Sequence, residues 1–190
     1  MGRIIFFKTL RRWTVILNTI ERTTSDDQSS LERFREPTLD DGKKVWELVK
    51  STGVLDLNSS YQYLMWCSYF SKTSIVVEQD DQIVGFISGF IKPEAPDTLF
   101  VWQVAVAESE RGRGLATKML QSLLEQDALQ DVQFVEATIS PSNIPSQRLF
   151  RGLSRKWNAD LNIMPCFKAE DFPEQGHEDE LIHLVGPFKK

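Results

Sequence analysis

The chain has 190 residues, 41% of them hydrophobic, which suits one compact domain burying roughly 70% of its unfolded surface. A formal net charge of −5 and a pI near 5.2 argue against a nucleic-acid-binding surface, which needs clustered Lys and Arg against phosphate, and leave room for a cationic ligand. Cys67 and Cys166 lie far apart and form no metal-ligand spacing with His177 and His183, so no metal is expected, and both thiols read as reduced, structural and cytosolic.

Residues 1–33 differ from the rest of the chain. Positions 1–20 hold Arg3, Lys8, Arg11 and Arg12 without an acid, and charge interrupts the apolar residues too often for a membrane span or a signal segment. A polar stretch, 23–30, separates them from Arg35. The reading is a flexible extension over 1–33, or an early start outside the fold, with a membrane-surface helix as the weaker alternative; no membrane partner is expected, and the folded domain is 34–190.

Pro37-Thr38, then Asp40, Asp41 and the apolar set Val45, Leu48, Val49, mark a capped first helix. Ser59 or Ser60 caps a second, aromatic-rich helix through Phe70, in which Tyr63, Trp66 and Tyr69 read as packing. Strands are expected at 74–79 and 82–91, joined as a hairpin across Asp80-Asp81, and again at 99–106.

Residues 111–117 read Arg-Gly-Arg-Gly-Leu-Ala-Thr, between that strand and a helix carrying Leu115, Met119, Leu120, Leu123 and Leu124. A strand that breaks at glycines into a helix is a phosphate cradle. The glycines permit close backbone approach, and the first-turn N–H groups carry the positive end of the helix dipole. The dipole supplies only about 0.3–1 kcal/mol, so Arg111, Arg113 and the aligned amides of Gly112, Gly114, Leu115, Ala116 and Thr117 must supply most of the attraction for a pyrophosphate. No Gly-Lys-Ser/Thr ends the loop, which removes a Walker motif. A dinucleotide fingerprint is a weaker rival because Thr117 occupies its third glycine position, although Glu136 lies near the distance of its acid. Further on, a strand is expected at 132–139, a short helix near 146–151 led by Pro145, and two last strands at 161–167 and 180–188.

The loop, preceded by Val104-Ala105-Val106, resembles the acyl-CoA pyrophosphate motif of the GNAT N-acetyltransferase superfamily, and the element order is similar to that fold over about 34–188. The resemblance implies an α/β (α+β) fold: a mixed, mostly antiparallel sheet, splayed at its centre and flanked by helices, with the pantetheine arm of acetyl-CoA lying in the splay. Asn143, Ser146, Leu149 and Phe150 match a second family motif, in which Asn143 and Ser146 meet the cofactor. Phe150 stands where many relatives carry the tyrosine that protonates the departing thiolate, which passes that role to water or Tyr61. The chain is further similar to the branch of the superfamily that acetylates L-2,4-diaminobutyrate in ectoine biosynthesis. That similarity rests on Arg35-Glu36-Pro37, Leu55 to Tyr61, Val101 to Val106, Thr138 to Asn143, Glu170 to Pro173 and His177 to Glu180. It implies a small diamino-acid substrate and a homodimer.

The chemistry sets further expectations. A lysine-like amine has a pKa near 10.4, so holding it neutral at pH 8 costs about 3 kcal/mol, and a base must take the proton. Glu136 and Thr138 share one face of their strand, which makes Glu136 the proposed base, through water, with a solvated strand glutamate as the alternative. Backbone N–H groups near Val104 and Ala105 are placed to hold the thioester oxygen. Asp56, the Tyr61 hydroxyl and Trp102 are candidate substrate contacts, Trp102 through a cation–π contact of about 0.5–2 kcal/mol. The alternative for Asp56 is a turn or cap residue, and for Tyr61 and Trp102 a place in the core. Two other functions stay open: a GNAT enzyme for another small amine, and a non-catalytic acyl-CoA-sensing domain suggested by Phe150.

Overall fold

A computed structural model describes residues 31–53, 55–173 and 175–188. The extension expected at 1–33 therefore lies, for residues 1–30, outside the described residues. Seven strands, β1 (Arg33–Arg35), β2 (Ile75–Gln79), β3 (Gln82–Lys92), β4 (Ala95–Val106), β5 (Phe134–Ile139), β6 (Leu161–Phe167) and β7 (Glu180–Val185), form one sheet in the order β1-β2-β3-β4-β5-β7-β6. All neighbours are antiparallel except β4 and β5. Among the described residues, four α-helices flank it: α1 (Asp41–Thr52), α2 (Ser60–Tyr69), α3 (Leu115–Leu124) and α4 (Ile144–Trp157).

Each helix buries one stripe against one face of the sheet. Val45, Leu48 and Val49 of α1 with Tyr63, Trp66 and Cys67 of α2 pack on Val76, Ile83, Phe86 and Ala105. Leu115, Met119, Leu120 and Leu123 of α3 with Phe150 and Leu153 of α4 pack on Ile75, Val77, Ile87, Leu99 and Val101. The alternation of β2 residues between the two cores is the two-residue period of a strand. Burial pushes the Cys67 thiol up to about 12, which makes it the inert, structural thiol expected.

Local rules account for most boundaries. The Ser59 hydroxyl accepts from the Gln62 N–H at 3.3 Å, a helix N-cap. Asp80 and Asp81 sit at φ 49° and 61°, the paired left-handed geometry of a tight hairpin turn. Three expectations need correction. Asp40 makes no capping bond; instead Asp41 receives the Thr38 N–H at 2.7 Å and both Arg35 guanidinium nitrogens at 2.7 and 2.8 Å. The helix expected at 146–151 runs over Ile144–Trp157, because Gly152 has open space around it and the chain stops only at Asn158, in the left-handed region at φ 47°. Tyr69, expected to pack, is exposed.

Two irregularities shape the centre of the sheet. In β4, Gln103 pairs with Ser88 and Val101 with Gly89, so Trp102 is an extra residue, a β-bulge. It shifts the alternation by one: Leu99 and Val101 face the α3/α4 core, and beyond the bulge Val104 and Val106 do so while Ala105 faces α1/α2. Second, β4 and β5 pair only from Thr98 to Phe100 against Phe134 to Glu136. Beyond Phe100 the parallel strands part, as the splay expectation required.

Candidate active site

The splay opens a cavity of about 780 Å³, in the size range of small-molecule sites. Strand β4 contributes Trp102, Gln103 and Val104, β5 contributes Glu136 to Ile139, and the start of α4 adds Asn143, Ser146 and Phe150. The loop before α2 brings Asp56, and the segment around β6 and β7 adds Cys166, Phe172, His177 and Glu180.

At one end, α3 begins at Gly114 without a side-chain cap. Among the described residues, no backbone N–H from Gly112 to Ala116 has a hydrogen-bond partner, whereas Arg111 donates to Glu108 and Thr117 to Gly114. Gly112 and Gly114 sit at φ 76° and 79°, with nothing within 4 Å of an added Cβ. Their backbone therefore needs glycine for its left-handed conformation, and the space above them is open, as a phosphate cradle requires. The arginines behave differently from expectation. Arg111 donates to the Thr52 carbonyl at 3.2 Å and the Val106 carbonyl at 3.4 Å, tying the loop to α1 and β4. Arg113 is ion-paired with Glu110 at 2.7 Å, so part of its charge is already answered.

Of the other predicted cofactor residues, Val104, Asn143 and Ser146 line the cavity. Ala105 is fully buried and offers only backbone. Asn143 Oδ1 accepts from the Ser146 N–H at 3.2 Å, which makes Asn143 the N-cap of α4 and leaves its two N–H donors free to meet a ligand. Residues 111–117 lie outside the cavity lining.

At the other end, Asp56, Trp102 and Thr138 line the cavity; Trp102 is half-exposed, with its ring 6.2 Å from that of Trp66. Tyr61 is 69% exposed and not part of the lining, so its expected place beside the reacting groups is not where the structure puts it. Tyr63 is buried in the core beneath the site, its hydroxyl donating to Gln103 Oε1 at 3.2 Å, while Gln103 Nε2 donates to the Asp56 carbonyl at 3.0 Å. That chain of bonds holds the Asp56 loop against the bulge. Glu136 is in the cavity as expected but is not a free carboxylate: Lys92 Nζ donates to its two oxygens at 2.8 and 2.9 Å.

Three residues of the cavity are not singled out by the sequence alone. Lys92 ends β3, and only the three-dimensional pairing reveals it. Cys166, expected to be structural, is exposed in the cavity lining, where partial desolvation and then the Glu136 carboxylate raise its thiol. Glu180 also lines it; burial, then Glu178 and Asp56, raise its carboxyl against the opposing effect of His177. The acid-rich run His177 to Glu180 was the available signal. His183, by contrast, is buried under Phe150, ring to ring at 6.2 Å. No group of His, Cys, Asp or Glu among the described residues is arranged to hold a metal.

An anion cradle at a helix N-terminus, a splayed parallel strand pair and a bulged central strand define an acyl-CoA N-acyltransferase. Residues 43–154 match the model of the acetyltransferase (GNAT) family, and the chain belongs to that family. Within it the similarity is narrower. The L-2,4-diaminobutyric acid acetyltransferase of Oceanobacillus iheyensis is 55% identical over 161 residues, covering 83% of this chain and 89% of the relative. The enzyme of that name from Virgibacillus pantothenticus is 52% identical over 154 residues, covering 81% and 97%. Among solved structures, diaminobutyrate acetyltransferase EctA of Paenibacillus lautus, in complex with its substrate L-2,4-diaminobutyric acid and coenzyme A, is 45% identical, with a TM-score of 0.81 over 85% of this chain and 98% of that one.

Proposed function

We propose that the protein transfers acetyl from acetyl-CoA to the γ-amine of L-2,4-diaminobutyrate, by direct attack in a ternary complex, to give Nγ-acetyl-diaminobutyrate for ectoine biosynthesis. The observation that carries this reading is an acid-lined cavity in the splay, lying next to a glycine loop with free amides. The Paenibacillus relative binds that diamino acid and coenzyme A.

Each step has residues to carry it. The amides from Gly112 to Ala116 hold the pyrophosphate, and the unpaired edge of β4 beyond Phe100, with Asn143 and Ser146, receives the pantetheine arm. The acetyl thioester supplies the electrophilic carbon, and backbone donors beside Val104 and Ala105 stabilise the oxygen that gains charge. This stretch pairs with β3 on one side, and the splay leaves its other edge without a strand partner. Asp56 and Glu180 attract the γ-ammonium. We assign its proton to Glu180 rather than Glu136, because burial raises the Glu180 carboxyl, which strengthens it as a base, and Glu136 is already bound to Lys92. With Phe150 at the usual tyrosine position and Tyr61 outside the cavity, water protonates the leaving thiolate, tolerable for a thiol of reference pKa about 8.5.

We further assign a homodimer, working in the cytoplasm. Edge strand β6 exposes Ile163, Met164 and Phe167, an apolar edge that natural proteins cover. Cys67 and Cys166 are free thiols, in keeping with a reducing compartment.

Thiol release by the purified protein with acetyl-CoA and a panel of amines tests the reaction. Diaminobutyrate is expected to give the highest kcat/KM, with the product acetylated on the γ-nitrogen. A preference for another amine rejects the substrate, and no release with any amine favours the sensing domain.

A further inference from the structure

Lys92 is the only lysine or arginine lining the described cavity, which also holds the carboxylates of Asp56, Glu94, Glu136 and Glu180. A diamino acid entering this acidic space brings two amines, for which carboxylates abound, and one carboxylate, for which the cavity offers a single Lys or Arg cation. Resting on diaminobutyrate as the substrate, we infer that the Lys92–Glu136 pair is the specificity element that recognises the α-amino-acid end of the molecule, Lys92 taking the carboxylate and Glu136 the α-ammonium.

The geometry suits a paired reader better than two isolated charges. The ammonium of Lys92 has three N–H donors and gives two contacts to Glu136, at 2.8 and 2.9 Å, which leaves one for a ligand. Glu136 retains lone pairs after accepting both. The side chain of Lys92 is 33% exposed and that of Glu136 only 8%, so the pair is fixed from below and open from above. Glu136 stands opposite Phe100, the last paired residue before β4 and β5 diverge. The pair thus sits at the closed end of the splay, and the γ-amine of a substrate held there points back toward the bulge at Trp102 and the carboxylates of Asp56 and Glu180. An amine lacking the carboxylate loses the Lys92 contact and leaves that cation unanswered.

The test compares L-2,4-diaminobutyrate with 1,3-diaminopropane, which keeps both amines and lacks the carboxylate, in steady-state acetylation by the full chain. The wild type is expected to favour diaminobutyrate by about 10- to 100-fold in kcat/KM, the range of one hydrogen bond between charged groups. Lys92→Met is expected to bring that ratio close to one, mainly through the KM for diaminobutyrate, with the KM for acetyl-CoA unmoved. Lys92→Arg is expected to restore part of the preference. Because Lys92→Met leaves Glu136 as a lone buried charge, the double variant Lys92→Met/Glu136→Gln provides the same comparison with both charges removed. A ratio unchanged in the variants overturns the inference and makes the pair a purely structural prop. A wild type that acetylates neither amine refutes the substrate reading beneath it, and the inference with it.

Discussion

At the glycine loop the groups proposed to bind are backbone amides, positioned by the left-handed conformations of Gly112 and Gly114, whereas in the splay they are side chains, Asp56, Lys92, Glu136 and Glu180, drawn from four separate segments. The first end recognises a part common to every acyl-CoA donor. The second must distinguish one amine from many, and side chains are what a sequence can vary without disturbing the strand and helix that carry them. The contrast predicts that damage at the first end appears in cofactor affinity, and damage at the second in turnover and amine selectivity.

The sharpest separation comes from Glu180. Glu180→Gln is expected to lower kcat by about 10²- to 10⁴-fold, the usual contribution of a positioned base, and to remove the acid limb from the pH profile of kcat/KM, while acetyl-CoA affinity measured by calorimetry stays the same. Its stability should move the other way. The folded-state carboxyl is raised above its unfolded value, so the charged form penalises folding at pH above the folded pKa, and the penalty disappears as pH falls below it. Glu180→Gln is therefore expected to raise Tm at pH 7.5 and to match the wild type near pH 3. A wild-type rate profile in this variant returns the proton to Glu136.

Next in size is the cradle. Gly114→Val forces a β-branched residue to φ 79°, a conformation that costs L-residues about 1–2 kcal/mol, and places methyl groups in the space open to a phosphate. Acetyl-CoA affinity is expected to fall by about 10- to 100-fold, with the preference among amines intact. Equal loss of amine selectivity would show that the two ends are not separable.

The same contrast explains what could be read from sequence. The loop from Arg111 to Thr117 was legible because its chemistry is local: glycines between a strand and a helix fix the backbone whatever lies elsewhere. The hairpin at Asp80-Asp81 and the Ser59 cap were legible for the same reason. The Lys92–Glu136 pair joins residues 44 positions apart, and the approach of Glu180 to Asp56 depends on the order in which β5, β7 and β6 line up, which no short pattern encodes. Tyr61 shows the reverse error. A motif placed it near the substrate, but α2 turns Tyr63 inward and leaves Tyr61 outside. The bulge at Trp102 had a signal, the change of apolar phase from Leu99 and Val101 to Val104 and Val106, although it becomes meaningful only once both cores are known.

Gln103 probes the connection between the ends. It lies on the bulged strand yet bonds to the Asp56 carbonyl and the Tyr63 hydroxyl. Gln103→Leu leaves the Asp56 carbonyl without its donor and the Tyr63 hydroxyl with only the Asn58 N–H, a loss of about 1–3 kcal/mol, and is expected to raise the KM for diaminobutyrate by about 5- to 50-fold with a smaller change in acetyl-CoA affinity. An equal change in both would place the bulge, rather than the Asp56 loop, under its control.

The smallest expected effect on catalysis comes from Asp41, at the far end of the helix whose last carbonyl meets the glycine loop. Helix α1 starts at Asp41, clamped by Arg35 and Thr38, and ends at Thr52, whose carbonyl receives Arg111 from the glycine loop; the chain then leads to Asp56. Burial opposes the charge of Asp41, but the bonds from Arg35 and Thr38 outweigh it and hold the carboxyl below its ordinary value. A depressed folded pKa contributes stability that is complete above the unfolded value and is lost as pH falls through the folded one. Asp41→Asn is thus expected to lower Tm by roughly 3–10 °C at pH 7, with the gap to the wild type closing as the pH drops below the ordinary aspartate range. Both KM values are expected to change by less than about threefold, and together. If only the diaminobutyrate KM moves, the helix serves the side-chain end alone and Arg111 holds the glycine loop without it.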